Sequence, residues 1–572
     1  MKSELLMPAG SLDKLKVAVL YGADAVYLGT PDMSLRTKSD FSLQDVLEGV
    51  EFAHQHNVRV YLTLNLFAHN KDVSKLDTFI DTVKTVNPDG LIIADPGVFE
   101  YVRERAPEIP LHVSTQANVC SSLSVRFWQN QGAKLVVLAR EVSFAELTQI
   151  RHDCPDIKLE AFVHGTMCMT YSGRCLLSNF MSERGANQGN CANSCRWDYK
   201  VHLKLNDGTV QELTIDDSNR DMFQFLLEEG VRPGELMPIE EDSRGSYILN
   251  SKDLCLLPKL DEYLRLGVDS FKVEGRGKSV YYVAVVARAY RKAMDAWAAD
   301  PDNWDPKPFM DELDRVPSRG YTLAFHDGQL TNLAHGYQHT GQVSDAVFAG
   351  YICEYTDDGF LVDVRNRLDP GDVLEFVLPG ENIQSSFYDV RLRLYEFELE
   401  GMPDPVEVVH PGQPRKLKIR WSQFEQEDQA TLPARMPLLT VIRKEKPLTE
   451  TEAARLRLDK TARRMELSGS SCCGDNTSCG SGDSSCGSAS PDLQLYQLQQ
   501  VKLSEARDAE NAPSEPKSLR TGNPGCCGRG CNGCLVFWHD PAYAKGRELM
   551  QQKKIGEMLN HNALRETVGG RP

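Results

Sequence analysis

Over residues 1–300, short apolar runs alternate with stretches whose apolar positions recur at helical spacing. The pattern predicts eight strands, at 4–7, 25–28, 58–66, 90–94, 111–114, 134–138, 159–163 and 270–273. Most are rich in β-branched residues and are followed by turn residues. The segments between them, such as 13–21 and 43–54, predict amphipathic helices, and 281–297 predicts a closing helix. Strands alternating with helices over this length imply an α/β fold with a TIM-barrel-like (β/α)8 domain over residues 1–305. The competing doubly wound sheet lacks a glycine-rich dinucleotide fingerprint after its first strand.

A barrel of this kind carries its reactive groups where the strands end, at the C-terminal face. Those positions hold Pro8-Ala9-Gly10, Asn65, Asp95, Thr115-Gln116-Ala117-Asn118, Arg140-Glu141, His164 and Glu274-Gly275-Arg276. Between the seventh and eighth strands lies a long Cys-rich insertion, residues 166–268, and long βα loops usually carry function. Residues 306–339 read as a linker. Residues 340–445 then change period to short strands at 342–347, 359–364, 373–377, 391–396 and 416–419, broken by Pro/Gly turns such as Asp369-Pro370-Gly371-Asp372. This predicts a small all-β barrel domain. A basic helix at 449–466 opens the stretch 446–525, which continues as a Ser/Gly/Cys-rich and largely disordered linker. Residues 526–572 form a Cys-rich C-terminal module.

Composition narrows the classes. The chain has 572 residues, 41% hydrophobic and 25% charged, as expected for a globular protein of two or three domains. No apolar run approaches the roughly 18 residues that span a bilayer, and the N-terminus has no signal-peptide core, which predicts a cytoplasmic protein with no membrane partner. There the 16 cysteines are expected as metal ligands or redox groups, not disulfides. A net charge of −17 weighs against a polyanion partner, although a local basic stripe can sit on an acidic body.

The densest chemistry is the run Cys168, Cys175, Cys191 and Cys195, with Cys255 following in Asn250-Ser251-Lys252-Asp253-Leu254. Its neighbours are largely Gly, Ser, Asn and Arg, so these thiols read as ligands of a metal or iron–sulfur cluster. Cys120, Cys154 and Cys353 stand alone in core-like contexts and read as packing cysteines. His164 reads equally as a ligand, a proton donor or a structural histidine. Glu274 and Arg276 form either a rim ion pair or a seat for a substrate carboxylate or phosphate. A P-loop is excluded at 275–279, because the pattern needs glycine where Lys272 stands. No HExxH or GxSxG motif occurs. In the tail, Cys526, Cys527, Cys531 and Cys534 have spacing suited to a second metal or cluster, or are incidental thiols.

The segments Glu4–Gly10, 22–29, His164-Gly165, 171–178, 187–191, Cys195-Arg196-Trp197, 249–255 and 271–276 together resemble the collagenase-like peptidase family, over roughly residues 1–445. That family spans peptidase-named, tRNA-hydroxylating and ubiquinone-pathway members. Domain order and the Cys195-Arg196-Trp197-Asp198-Tyr199 wording resemble most its tRNA-hydroxylating branch. The resemblance implies an oxygen-independent hydroxylase with a [4Fe–4S] cluster on Cys168, Cys175, Cys191 and Cys255, leaving Cys195 as a neighbour. It implies tRNA as partner, modified to 5-hydroxyuridine at the wobble position of the anticodon, with prephenate or a similar small carboxylate as oxygen donor. On that reading Arg276 or Arg174 holds the donor's carboxylates, His164 and Glu274 complete the catalytic set, and Tyr171 or Trp197 stacks the splayed base. A peptidase and a non-enzymatic metal-binding or scaffold protein are the competing readings. The extension beyond residue 446, with eight cysteines, departs from the family pattern.

Overall fold

The computed structural model describes residues 2–29, 41–65, 68–167, 251–328, 330, 332–334, 342–379, 390–424 and 435–467, with five short strands between 202 and 247. All of these belong to one compact unit within residues 1–510. No helix among them is long and apolar enough to cross a membrane.

Eight parallel strands close into a barrel, as the apolar pattern predicts. They are β1 (Glu4–Pro8), β2 (Ala25–Gly29), β3 (Arg59–Leu64), β4 (Gly90–Ile93), β5 (Leu111–Val113), β6 (Leu135–Val137), β7 (Lys158–Thr166) and, after the insertion, β14 (Ser270–Val273). Each pairs with the next, and β14 pairs with both β7 and β1, so no edge is left open. The helices between them start at side-chain caps written into the sequence. Ser11 caps α1 (Leu12–Leu20), while Ser42 with Asp45 and Ser143 with Glu146 form capping boxes on α2 (Leu43–Gln55) and α7 (Phe144–Asp153). The intervening helices are α3 (Asn70–Val73), α4 (Leu76–Val86), α5 (Pro96–Arg105) and α6 (Ser122–Asn130). Outward strand residues such as Leu5, Val26, Leu62 and Ile93 join the helices in one large core.

The inside of the barrel is mixed. Leu6, Ala25, Tyr27, Tyr61 and Ile92 form a small apolar cluster. Beside it runs a buried polar seam across the closing strands. Lys272 Nζ lies 2.7 Å from Glu160 Oε1, and the Ser270 hydroxyl lies 2.9 Å from Glu160 and 3.0 Å from Glu4. Tyr61 donates to Glu4 at 2.8 Å, and Arg59 pairs with the same carboxylate.

Within the insertion, β8 (His202–Lys204) pairs with β9 (Val210–Glu212), and β10 (Phe225–Glu228), β11 (Leu236–Asp242) and β12 (Gly245–Tyr247) form an antiparallel sheet. The chain then returns through β13 (Asp253–Cys255), antiparallel to the far end of β7, before α8 (Leu260–Leu266), β14 and the long α9 (Val280–Ala299). Residues 306–339, expected as a linker, instead contribute α10 (Lys307–Leu313) and β15 (Tyr321–Thr322), which pairs with β13.

Residues 346–445 form a second, curled antiparallel sheet of seven strands: β16 (Ala346–Tyr355), β17 (Gly359–Val364), β18 (Val373–Val377), β19 (Val390–Arg393), β20 (Glu398–Leu399), β21 (Leu417–Arg420) and β22 (Val441–Glu445). It has its own core around Ile352, Phe360, Phe376, Leu417 and Ile442. The first strand starts four residues later than the pattern suggests. β22 escapes a pattern reading altogether, because Arg443 occupies a core position. Arg443 is 1% exposed and reaches Glu312 of α10 at 2.9 Å and Glu375 of β18 at 3.1 Å, while Arg288 of α9 meets Glu312 at 2.6 Å. Tyr21 adds a neutral tie, donating to Val377 O and accepting from Val441 N. A final helix, α11 (Glu450–Leu467), docks on the barrel side through Arg463 to Asp314 and Glu466 to Thr322 and Leu323.

Burial alone would raise the Glu312 carboxyl, but Arg288 and Arg443 outweigh it and pull the pKa down to about 2. The contribution of Glu312 is therefore complete above the ordinary glutamate range, near pH 4.3, and is lost as pH falls toward 2. Arg443→Met should destabilise the chain by roughly 3–5 kcal/mol in urea titrations at neutral pH, because it strands buried carboxylates. A loss below about 1 kcal/mol would show that these arginines only fill space.

Candidate functional site at the barrel mouth

At the C-terminal end of the barrel, three cations and two aromatic rings alternate across the opening. Arg140, just beyond β6, stacks over the Phe162 ring of β7 with its Cζ 4.1 Å from the centroid. Lys272 Nζ lies 5.8 Å from the Phe162 centroid and 4.4 Å from that of Tyr27 on β2. Arg276 stands on the other side of Tyr27, 5.8 Å from its centroid, and its Nη1 donates to Thr63 Oγ1 of β3 at 3.1 Å. Lys272 is neutralised by Glu160, so the ladder's outer positive charge rests on the two arginines. Guanidinium planes over aromatic faces at a concave end suit carboxylates and flat, electron-rich groups.

Local sequence explains how these side chains are held. Gly10 lets the β1–α1 turn lie against the turn after β14, where an added Cβ would sit 2.0 Å from Arg276 O. Gly165, at φ +123°, leaves room for Glu274. Glu274 is pinned on all sides: its N–H donates to His164 O, its carbonyl accepts from the Tyr282 hydroxyl at 2.7 Å, and its carboxylate accepts from Thr166 N at 3.4 Å. Two other rim residues are committed locally. Asp95 caps α5 through Gly97 N and Val98 N, and Ser114 donates to Gln116.

His164 and Cys255 sit elsewhere. They oppose each other in the β7–β13 register, on the helix side of the wall. The His164 ring is surrounded by Tyr282, Tyr290 and Tyr321, with centroids 5.3–5.8 Å away, and the Tyr290 hydroxyl is 3.5 Å from Nδ1. Burial pushes the His164 pKa down to about 3. The Cys255 thiol packs 3.9 Å from the Tyr290 hydroxyl and 3.7 Å from Met310 Sδ, and burial pushes it up to about 11. A cysteine nucleophile beside a histidine base needs the opposite displacement of both groups. In this arrangement the two are not set as a nucleophile and its base. Arg174, Cys168, Cys175, Cys191, Cys195, Tyr171, Trp197 and the tail residues Cys526, Cys527, Cys531 and Cys534 lie outside the described residues. Among the described residues, no three of His, Cys, Asp and Glu are grouped to hold a metal ion.

The sequence reading overlooked Tyr27, Thr63, Phe162 and Lys272. A period-two signal was available: Ser270 and Lys272 are polar and alternate with Phe271 and Val273, which marks an inward polar face on β14.

A closed (β/α)8 barrel with a cation-lined mouth and a long insertion after its seventh strand defines the class. Residues 10–335 match the model of peptidase family U32, and the chain belongs to that family. It is 41% identical over 405 residues to the tRNA hydroxylation protein P of Escherichia coli, covering 67% of this chain and 87% of that protein. It is 38% identical over 414 residues to the tRNA hydroxylation protein P1 of Bacillus subtilis, covering 71% and 91%. A 23S rRNA 5-hydroxycytidine C2501 synthase of Escherichia coli is 32% identical over 293 residues, covering 51% of this chain and 39% of that enzyme.

A wall histidine has a clear signature. His164 should stay neutral in NMR titrations until the pH nears 3, while the unfolded chain protonates near 6.5. Its contribution to stability is thus present above about pH 6.5 and declines as pH falls. Protonation of His164 in the folded chain near pH 6 would return it to the list of proton donors.

Proposed function

We propose that this chain hydroxylates tRNA, forming 5-hydroxyuridine at the wobble position in an oxygen-independent, iron–sulfur-dependent reaction with prephenate or a similar small carboxylate as oxygen donor. The observation that carries this reading is the 41% identity maintained over 87% of a tRNA hydroxylation protein. The arginines at the mouth support it physically, because a donor with carboxylates needs charge-assisted partners in a confined space. Arg276, fixed by Thr63 and Tyr27, receives one donor carboxylate. Lys272 and Glu160 hold the floor beneath it. A base turned out of the anticodon loop enters the same opening, with aromatic and guanidinium planes available for stacking.

For the cluster, Cys168, Cys175 and Cys191 are assigned three of the thiolates. Cys255 is assigned the fourth, with Cys195 as its neighbour and the alternative fourth ligand. A bound cluster would supply low-potential one-electron chemistry. The chain's own residues bind the donor, orient it and exclude water.

Anaerobic purification with iron and sulfide analysis tests the first half. About four irons and four sulfides per chain, lost in a Cys168→Ala, Cys175→Ala double variant, are expected. Iron lost in Cys255→Ser and kept in Cys195→Ser is expected for the fourth ligand, and the reverse would move it to Cys195. Zinc alone, or no metal, would sink the cluster reading. Arg276→Ala should raise the donor concentration needed for tRNA hydroxylation roughly 10- to 100-fold. Normal donor dependence would remove Arg276 from the site.

A further inference from the structure

Helix α11 (Glu450–Leu467) is sorted by charge around its axis. Its inner side carries Leu458, Ala462 and Met465, which pack with Leu333. The acids beyond its first turn face inward as well. The Asp459 side chain is 14% exposed and pairs with the buried Lys252 at 3.6 Å. Glu466 accepts from the Thr322 hydroxyl at 2.8 Å and from Leu323 N at 3.0 Å. What remains outside is cationic. Arg457, Lys460 and Arg464 are all exposed, and their spacing of three and four residues sets them in one stripe about 10 Å long.

This stripe is not neutralised. Among the described residues, the side chains of Arg457 and Arg464 make no ion pair or hydrogen bond. Lys460 reaches Asp314 at 3.2 Å, but Arg463 already holds that carboxylate through both Nη atoms, at 2.9 and 3.0 Å. A solvated helix face usually mixes both signs and pairs them three or four residues apart. Here the outward face has one sign, on a chain whose net charge is −17. Its place in the fold is also informative. β13 pairs with His164–Thr166 at the mouth end of β7, β15 pairs with β13, and Glu466 ties the last turn of α11 to β15. The stripe is therefore carried on strands that extend the wall from the mouth end of β7. An acidic body repels a polyanion unless cations are gathered on the surface that meets it.

We infer that the stripe of Arg457, Lys460 and Arg464 is a docking surface for the phosphate backbone of RNA. It holds the substrate while the target base reaches the barrel mouth. The inference rests on the reading of this chain as a tRNA hydroxylase. Contacts of this kind position the RNA and carry no sequence information, so the choice of base is left to the mouth.

The test uses the full chain and an unmodified tRNA transcript, with affinity measured between about 50 and 200 mM salt. A triple variant, Arg457→Gln, Lys460→Gln and Arg464→Gln, keeps helix propensity. It should weaken binding at least 10-fold at low salt and flatten the slope of log affinity against log salt by roughly 2–3, one step per lost phosphate contact. The double variant Arg457→Gln, Arg464→Gln breaks no contact in the structure and should show about two thirds of that change in slope. A control, Lys84→Gln, Lys134→Gln and Lys158→Gln, removes the same charge from exposed positions at the other end of the barrel, in the last turn of α4, just before β6 and at the start of β7. It should bind as the parent does. Equal losses in stripe and control variants, or undiminished binding by a stripe variant with an unchanged thermal midpoint, would overturn the inference. So would a loss seen with a poly-glutamate probe and not with tRNA, which would assign the stripe to an acidic protein. The two readings fail separately. Hydroxylation by the parent with undiminished tRNA binding by the stripe variants would remove the stripe alone. Stripe-dependent tRNA binding without hydroxylation would remove the reaction and leave the docking surface.

Discussion

The barrel depends on a buried polar seam where its last strand meets its first. Glu160, Ser270, Lys272 and Glu4 occupy consecutive inward positions on β7, β14 and β1, the strands whose pairing turns an open sheet into a closed one. An apolar filling would close the barrel equally well. Ion pairs and shared hydroxyls add directionality, because each partner is satisfied in one register only. Burial raises the Glu4 carboxyl, which eases two acids sharing one serine hydroxyl. The insertion separates β7 from β14 by about a hundred residues, so a register that closes itself matters more here than in an uninterrupted barrel.

The same seam prepares the mouth. With its charge cancelled by Glu160, Lys272 becomes a fixed spacer between Phe162 and Tyr27. The arginines then stand at either end of an aromatic ladder, held by stacking and by Thr63. The net charge of −17 gives no hint of this, because a net charge says nothing of where the cations sit. The curled sheet is attached by a second buried charge cluster, Arg443 with Glu312, Glu375 and Arg288.

Much of the frame was legible in the sequence. All eight barrel strands follow from short β-branched runs, and the helices at 13–21 and 43–54 from their apolar spacing, because these signals are local. The pattern was less informative at β13, β15 and β22. These are short strands whose neighbours lie far away in the chain, and their buried Lys252, Asp253 and Arg443 read as surface residues. The site was half legible. Arg276 and Arg140 could be placed at strand ends by the barrel rule, whereas Tyr27, Thr63 and Phe162 gain meaning only from the rings and charges that the closed barrel sets beside them.

The sequence by itself determined the order of strands and helices, the polar residues at strand ends and the family, because periodicity, capping and motif wording are properties of contiguous residues. Tertiary structure alone decided which way each side chain faces. His164 and Cys255 lie on a strand and a return segment that the sequence places near the chemistry, and the β7–β13 register sets them opposite each other against the tyrosines of α9. Arg140 has the same local context as any rim residue. Only the closed wall, which sets Phe162 against it, makes it one end of the mouth ladder. A side chain's direction depends on which strands pair, and that pairing is set by contacts between residues a hundred or more positions apart.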